Sequence, residues 1–125
     1  MNTNIYGIGT DIIEIERFKE AFNQHGQKFL DKLFSAKEQN YCKRYADPIG
    51  RFAVRFSAKE AVAKALGVGF GQNLSFLDIE ILNEPSGKPS VYLSKTASTH
   101  FENPTFHLSL SHCHKYATAT VIALK

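Results

Sequence analysis

Three residues that lie far apart in the chain, Asp11, Glu60 and Lys64, are of the types that phosphate chemistry needs. Asp11 follows a strand-like segment punctuated by Gly7 and Gly9, from which a carboxylate can project into a cleft beside a helix. Glu60 and Lys64 stand four apart in a segment with helical spacing. Two carboxylates completed by water and phosphate oxygens suit octahedral Mg²⁺. Taken by themselves, Glu60 and Lys64 are also in the favourable order for an exposed helical ion pair of about 0.3–0.5 kcal/mol. The chemical reading therefore depends on Asp11 joining them.

Positive charge gathers around the same helix. The whole chain carries a net charge of +3, yet Lys43, Arg44, Arg51, Arg55, Lys59 and Lys64 face only Asp47 and Glu60 across one segment. With Phe52 set at zero and ~100° per residue, Phe56 falls near ~40°, Leu66 near ~320° and Val62 near ~280°, while Arg55 (~300°) and Lys59 (~340°) share that apolar arc. Cations beside a buried face must snorkel or find anionic partners, because an unpaired buried charge costs several kcal/mol. A phosphate-binding or subunit-contact face is the alternative, for which the planar guanidinium of Arg55 offers bidentate contacts.

Other chemistries fit poorly. Gly7-Ile8-Gly9 is not a dinucleotide fingerprint, since Ile12 stands where the third glycine belongs, and no Gly-Lys-Ser/Thr marks a P-loop. His107, His112 and His114 lack the carboxylate spacing of a zinc site and read as loop histidines that meet phosphate or solvent. Cys42 and Cys113 form no CxxC pair and read as ordinary free thiols. A nucleic-acid binder would expose its aromatics for stacking, whereas Phe52 and Phe56 fall on the buried arc.

These residues need a scaffold, and 125 residues with 43% hydrophobic and 22% charged side chains suit one globular domain over residues 1–125. No apolar run nears the ~20 residues of a membrane span. Met1-Asn2-Thr3-Asn4 lacks a basic, hydrophobic leader, which points to the cytoplasm. The pattern predicts a strand over 4–11 and helices over 14–24 and 27–34, with Gly26 between them. Ser35 and Glu38 form a capping-box sequence opening a helix through Tyr45, and Asp47-Pro48 open a long helix that ends at Gly67. Strands are expected over 76–82 and 90–93, a brief helix over 94–101, and strands over 105–111 and 116–124 flanking a loop with His112 at its tip. This is an α+β domain, helices packed on an antiparallel sheet.

The order Gly7-Ile8-Gly9-Thr10-Asp11-Ile12, Arg17, Arg51-Phe52-Ala53 and Phe56-Ser57-Ala58-Lys59-Glu60-Ala61-Val62-Ala63-Lys64-Ala65-Leu66-Gly67 resembles the holo-acyl-carrier-protein synthases, the short single-repeat 4'-phosphopantetheinyl transferases. Later segments, Leu74-Ser75-Phe76, Asp78-Ile79-Glu80-Ile81, Gly87-Lys88-Pro89 and Leu108-Ser109-Leu110-Ser111-His112, extend the likeness over nearly the whole chain. The resemblance implies transfer of 4'-phosphopantetheine from coenzyme A to a serine of acyl carrier protein, leaving adenosine 3',5'-bisphosphate, in the service of fatty acid biosynthesis. It implies Asp11 and Glu60 as Mg²⁺ ligands and Lys64 as the group facing the departing phosphate. Arg55, Lys64, Gly67 and His112 are implied as coenzyme A contacts, and Arg17 as a carrier contact. A homotrimer with active sites between subunits is implied too; from the residues themselves, neither nucleic acid nor a membrane is expected as a partner. Ser57 departs from the alanine common in the family. The helix after Asp11 is less basic than is usual there, since Glu14, Glu16 and Glu20 offset Arg17, Lys19 and Lys28. A non-catalytic binding module for an acidic protein or nucleotide is the competing reading, and it leaves Asp11, Glu60 and Lys64 unexplained.

Overall fold

The computed structural model describes residues 4–125; Met1–Thr3, the start of the segment read above as lacking a leader, lie outside the described residues. The elements run β1 (Ile5–Glu14), α1 (Ile15–His25), α2 (Gln27–Leu33), α3 (Ala36–Cys42), α4 (Pro48–Leu66), a 3-10 turn (Phe76–Asp78), β2 (Ile79–Asn83), β3 (Pro89–Leu93), α5 (Lys95–His100), β4 (Thr105–His112) and β5 (Tyr116–Leu124). β1, β5 and β4 form an antiparallel sheet in that order, and β2 and β3 form a separate hairpin.

α4 organises the rest. Asp47 caps it by accepting from Ile49 N–H, Pro48 occupies the first turn where no N–H is needed, and Gly67 ends it at φ 77°, a left-handed turn that favours glycine. One side of α4 packs with Ile79, Ile81, Ala119, Val121 and Ala123. Its first half packs with Phe18, Leu30, Phe34 and Cys42 from the small helices. Burial in that second cluster pushes the Cys42 thiol up to about 11, so at neutral pH it behaves as an apolar filler.

Most expected elements are found, with physical reasons for the differences. β1 runs on past Asp11 to Glu14 because Ile12, Ile13 and Glu14 keep pairing with Thr118, Ala117 and Tyr116. The expected strand over 76–82 begins later: Ser75 and Asp78 cap one another across a 3-10 turn, and pairing starts only at Ile79. The helix opened by the Ser35–Glu38 capping box stops at Cys42, short of Tyr45. His112 is not at a loop tip; it closes β4 opposite Ala117.

The polar positions inside the α4 arc resolve in one way for Lys59. It is fully buried and donates to a Glu38 carboxylate oxygen at 2.8 Å, to Phe76 O at 3.0 Å and to Leu33 O. Glu38, equally buried, also accepts from the main-chain N–H groups of Ser35 and Ile81. Lys59 thus does not snorkel; it finds its anionic partner, Glu38, inside the same chain. Desolvation holds its ammonium below the usual lysine range, and Glu38 counters that.

Candidate active site

β1 and α4 meet in a register that the glycines of β1 allow. Two residues of strand advance ~6.6 Å and four residues of helix ~6 Å, so Gly7, Gly9 and Asp11 can step against Ala65, Ala61 and Ser57. A Cβ on Gly7 would lie 2.0 Å from Ala65 O and one on Gly9 1.9 Å from Ala61 O, so only glycine allows this approach. On the third rung the strand carries a side chain. There Ser57 Oγ donates to Asp11 Oδ2 (2.9 Å) and lies 3.1 Å from Asp11 O.

Lys64 is brought to the same place. Its ammonium donates to Thr10 O at 3.0 Å and to Asp11 Oδ1 at 3.3 Å. The helical Glu60–Lys64 pair weighed from sequence is not among the ion pairs of the described residues; Lys64 reaches across to the strand instead. Lys64 is about half exposed and Asp11 nearly buried, which sets a solvent-facing ammonium beside a largely enclosed carboxylate. Burial pushes the Glu60 carboxyl above the usual range, the Asp11 charge pushes it further, and Lys64 pulls it partly back.

Two carboxylates that repel one another form a hard-oxygen donor set that a small divalent cation would relieve. Among the described residues no group of three or more His, Cys, Asp or Glu side chains could hold a metal ion. Asp11 and Glu60 therefore fit an ion that takes its other ligands from water and from phosphate.

The remaining candidates lie elsewhere. Arg55 is buried over the Tyr41 ring at 4.4 Å, donates to Asn83 Oδ1 and to Arg51 O, and its Nε–H has no protein partner. It shares a cleft of about 440 Å³ with Arg51, Ser109, Ser111 and His112. Neither Asp11, Glu60 nor Lys64 lines that cleft. Nine residues along a helix turn through ~180°, so Arg55 and Lys64 project from opposite faces of α4. Gly67, at the end of α4, is exposed. Arg17, exposed on α1, edges an apolar cleft of about 520 Å³ made by Ile12, Ile13, Phe18, Phe29, Phe56 and Tyr116, and it takes part in no ion pair among the described residues. The structure thus gathers Asp11, Glu60 and Lys64 in one place and Arg55 with His112 in another. Ser57 joins Asp11 although its residue type does not mark it in the sequence; stepping back by four from Ala65 and Ala61 reaches it.

Comparison with known proteins gives one answer at two levels. The family model of the 4'-phosphopantetheinyl transferase superfamily matches residues 7–121. The chain is 50% identical over 116 residues to a holo-acyl-carrier-protein synthase from Protochlamydia amoebophila, covering 93% of this chain and 95% of that one. Among solved structures it resembles the holo-acyl-carrier-protein synthase of Neisseria meningitidis, with a TM-score of 0.91, 34% identity, and coverage of 98% and 100%. A Helicobacter pylori holo-acyl-carrier-protein synthase in complex with coenzyme A matches with a TM-score of 0.85 and 38% identity, over 93% of this chain and 98% of that one.

Proposed function

The chain belongs to the 4'-phosphopantetheinyl transferase superfamily, and we infer that it is a holo-acyl-carrier-protein synthase that moves 4'-phosphopantetheine from coenzyme A to a serine of apo-acyl carrier protein. Adenosine 3',5'-bisphosphate leaves. The observation that carries this reading is the meeting of Asp11, Lys64 and Glu60 on the close β1–α4 contact, beside relatives named for this reaction. We take residues 1–125 as one transferase domain, because α4 contributes to both apolar clusters.

The carrier serine oxygen attacks the β-phosphorus of the coenzyme pyrophosphate, and the bond from that phosphorus to the bridging oxygen breaks. Charge neutralisation and in-line positioning supply most of the catalysis in such a transfer. Asp11 and Glu60 would hold Mg²⁺, which when bound neutralises pyrophosphate charge. Lys64, exposed and flexible, stabilises or protonates the departing phosphate. Glu60, directly or through water, relays the serine proton. Arg55 and His112 contact the coenzyme phosphates, and the turn at Gly67 flanks its adenylate end.

Arg55 and Lys64 on opposite faces of one helix cannot readily hold one coenzyme within a single chain, and this favours active sites shared between subunits. The sheet face away from α4 supports the same reading, since Ile8 (64% exposed), Ile12 (65%) and Tyr116 (46%) stand on it. We read this as a homotrimer interface. The protein is expected to sediment as a trimer and to be stabilised thermally by coenzyme A; a clean, active monomer would refute it. No described helix is long and apolar enough to cross a membrane, and we place the enzyme in the cytoplasm, serving fatty acid biosynthesis.

The decisive experiment incubates the protein with apo-carrier, coenzyme A and Mg²⁺ and weighs the carrier. A mass gain of one phosphopantetheine group with release of adenosine bisphosphate is the expected result; an unchanged carrier would overturn the assignment. The same assay locates the docking surface. Acidic carriers are steered by exposed positive charge, and Arg17 at the mouth of an apolar cleft combines charge with apolar contact. Arg17→Glu is expected to raise the Michaelis constant for the carrier roughly tenfold, with that for coenzyme A nearly unchanged. Lys19→Glu should do less, as Glu16 and Glu20 already offset it. A stronger effect from reversing Lys43, Arg44 or Arg51 would move docking to the later basic segment.

A further inference from the structure

We propose that Ser57 is a positioning residue whose hydroxyl fixes the Asp11 carboxylate in its cation-binding orientation, a role that rests on reading Asp11 as a metal ligand. Ser57 is fully buried, so its single hydroxyl proton has no water to bond to and must go to a protein acceptor. The nearest acceptors both belong to Asp11: Oδ2 at 2.9 Å and the main-chain O at 3.1 Å. The main-chain oxygen already accepts from Thr118 Oγ1 at 2.8 Å. The Ser57 proton is therefore best used on the carboxylate, the charged and shorter acceptor.

The consequence is geometric. A carboxylate has about four acceptor sites, two on each oxygen. Ser57 takes one on Oδ2 and Lys64 one on Oδ1, so the plane of the group is held from both sides while one site on each oxygen stays open. Lys64 is about half exposed, and the proposed reaction needs it at the phosphate. Once Lys64 turns to the substrate, Ser57 is the side chain that still holds Asp11. Its place is set by the two close glycine rungs beside it, where strand and helix backbones pack without an intervening side chain. A partner that orients a ligating group in this way commonly changes metal affinity by 10–100-fold when removed.

The test measures metal binding without turnover. Mn²⁺ is titrated into the protein with coenzyme A and no carrier, and free Mn²⁺ is read by electron paramagnetic resonance, for wild type, Asp11→Asn, Ser57→Ala and Thr118→Ala. Thr118→Ala is the control, because it removes a hydroxyl bond to the Asp11 main chain and leaves the carboxylate alone. Ser57→Ala is expected to weaken Mn²⁺ roughly tenfold, with Thr118→Ala close to wild type and Asp11→Asn losing binding. Wild-type affinity in Ser57→Ala, or equal weakening in Ser57→Ala and Thr118→Ala, overturns the positioning role and leaves the metal reading intact. Binding by Asp11→Asn equal to wild type, or none by wild type, overturns the metal reading and the proposal with it. Melting curves accompany each titration. If Ser57→Ala does not fold, Ser57→Cys fills the same space with a weak donor and is expected to show the same loss.

Discussion

Glu60→Gln and Asp11→Asn are each expected to lower turnover by roughly 10²–10³-fold, the range seen when one preorganised electrostatic group is removed from a transition state. Both changes keep side-chain volume, so packing is not the cause. Each removes one of the two anionic groups that fit a divalent cation, which leaves pyrophosphate charge without a counterweight. For Glu60→Gln, stability moves the other way. Burial and the Asp11 charge raise the Glu60 carboxyl, so the folded state binds that proton more tightly than the unfolded chain does. At neutral pH, above the unfolded value, the ionised group is held at a cost. Without metal, Glu60→Gln is therefore expected to melt slightly above wild type. Carrier modification by mass and thermal melts in chelator measure the two effects. Wild-type turnover in either variant at ordinary Mg²⁺ would sink the assignment of the two carboxylates.

The largest stability effect is expected from Lys59→Met, at about 3–5 kcal/mol, the loss typical of removing one partner from a buried ion pair. The substitution nearly preserves volume and apolar contact. It nevertheless leaves Leu33 O and Phe76 O without their donor and strips the Glu38 charge of its counterion. Glu38→Gln should cost less, because a neutral amide oxygen can still accept from Ser35 or Ile81. Adding Glu38→Leu to Lys59→Met should not restore stability, as those main-chain N–H groups would then have no acceptor. Urea unfolding of the three variants checks the order. A Lys59→Met protein as stable as wild type would show that the pair contributes only specificity.

Much of this was legible in the residues. The Ser35–Glu38 capping box, Asp47-Pro48 and the glycines at 26 and 67 mark helix ends through local chemistry, and local chemistry is what a sequence shows. The 3-10 turn at Phe76–Asp78 was hidden because Phe76-Leu77-Asp78 continues the alternation of the strand, while the Ser75–Asp78 side-chain bonds that break it compete on equal terms. Lys59 was visible as a misplaced cation, but its partner Glu38 lies 21 residues away, where periodicity carries no information. Asp11, Glu60 and Lys64 were identified by family pattern. Their juxtaposition depends on the glycine rungs of β1, a feature of three dimensions. Whether Lys64 pairs along its helix or across to the strand is a choice of rotamer, which sequence spacing leaves open.

The strand and helix steps that meet at residues 7, 9 and 11 differ by ~0.6 Å per rung, and four helical residues overshoot a full turn by ~40°. Such a match drifts out of alignment within a few rungs, so the contact works as a short caliper with its jaws at Gly7 and Asp11. One residue inserted between those jaws would flip the strand's faces, turning Asp11 away from α4 and driving a Cβ into a helix carbonyl. One residue inserted between Ser57 and Ala65 would rotate the helix by ~100° and part the same contacts. Length variation among descendants of this sequence should therefore collect in the stretches 68–75 and 84–88 and stay out of these two intervals.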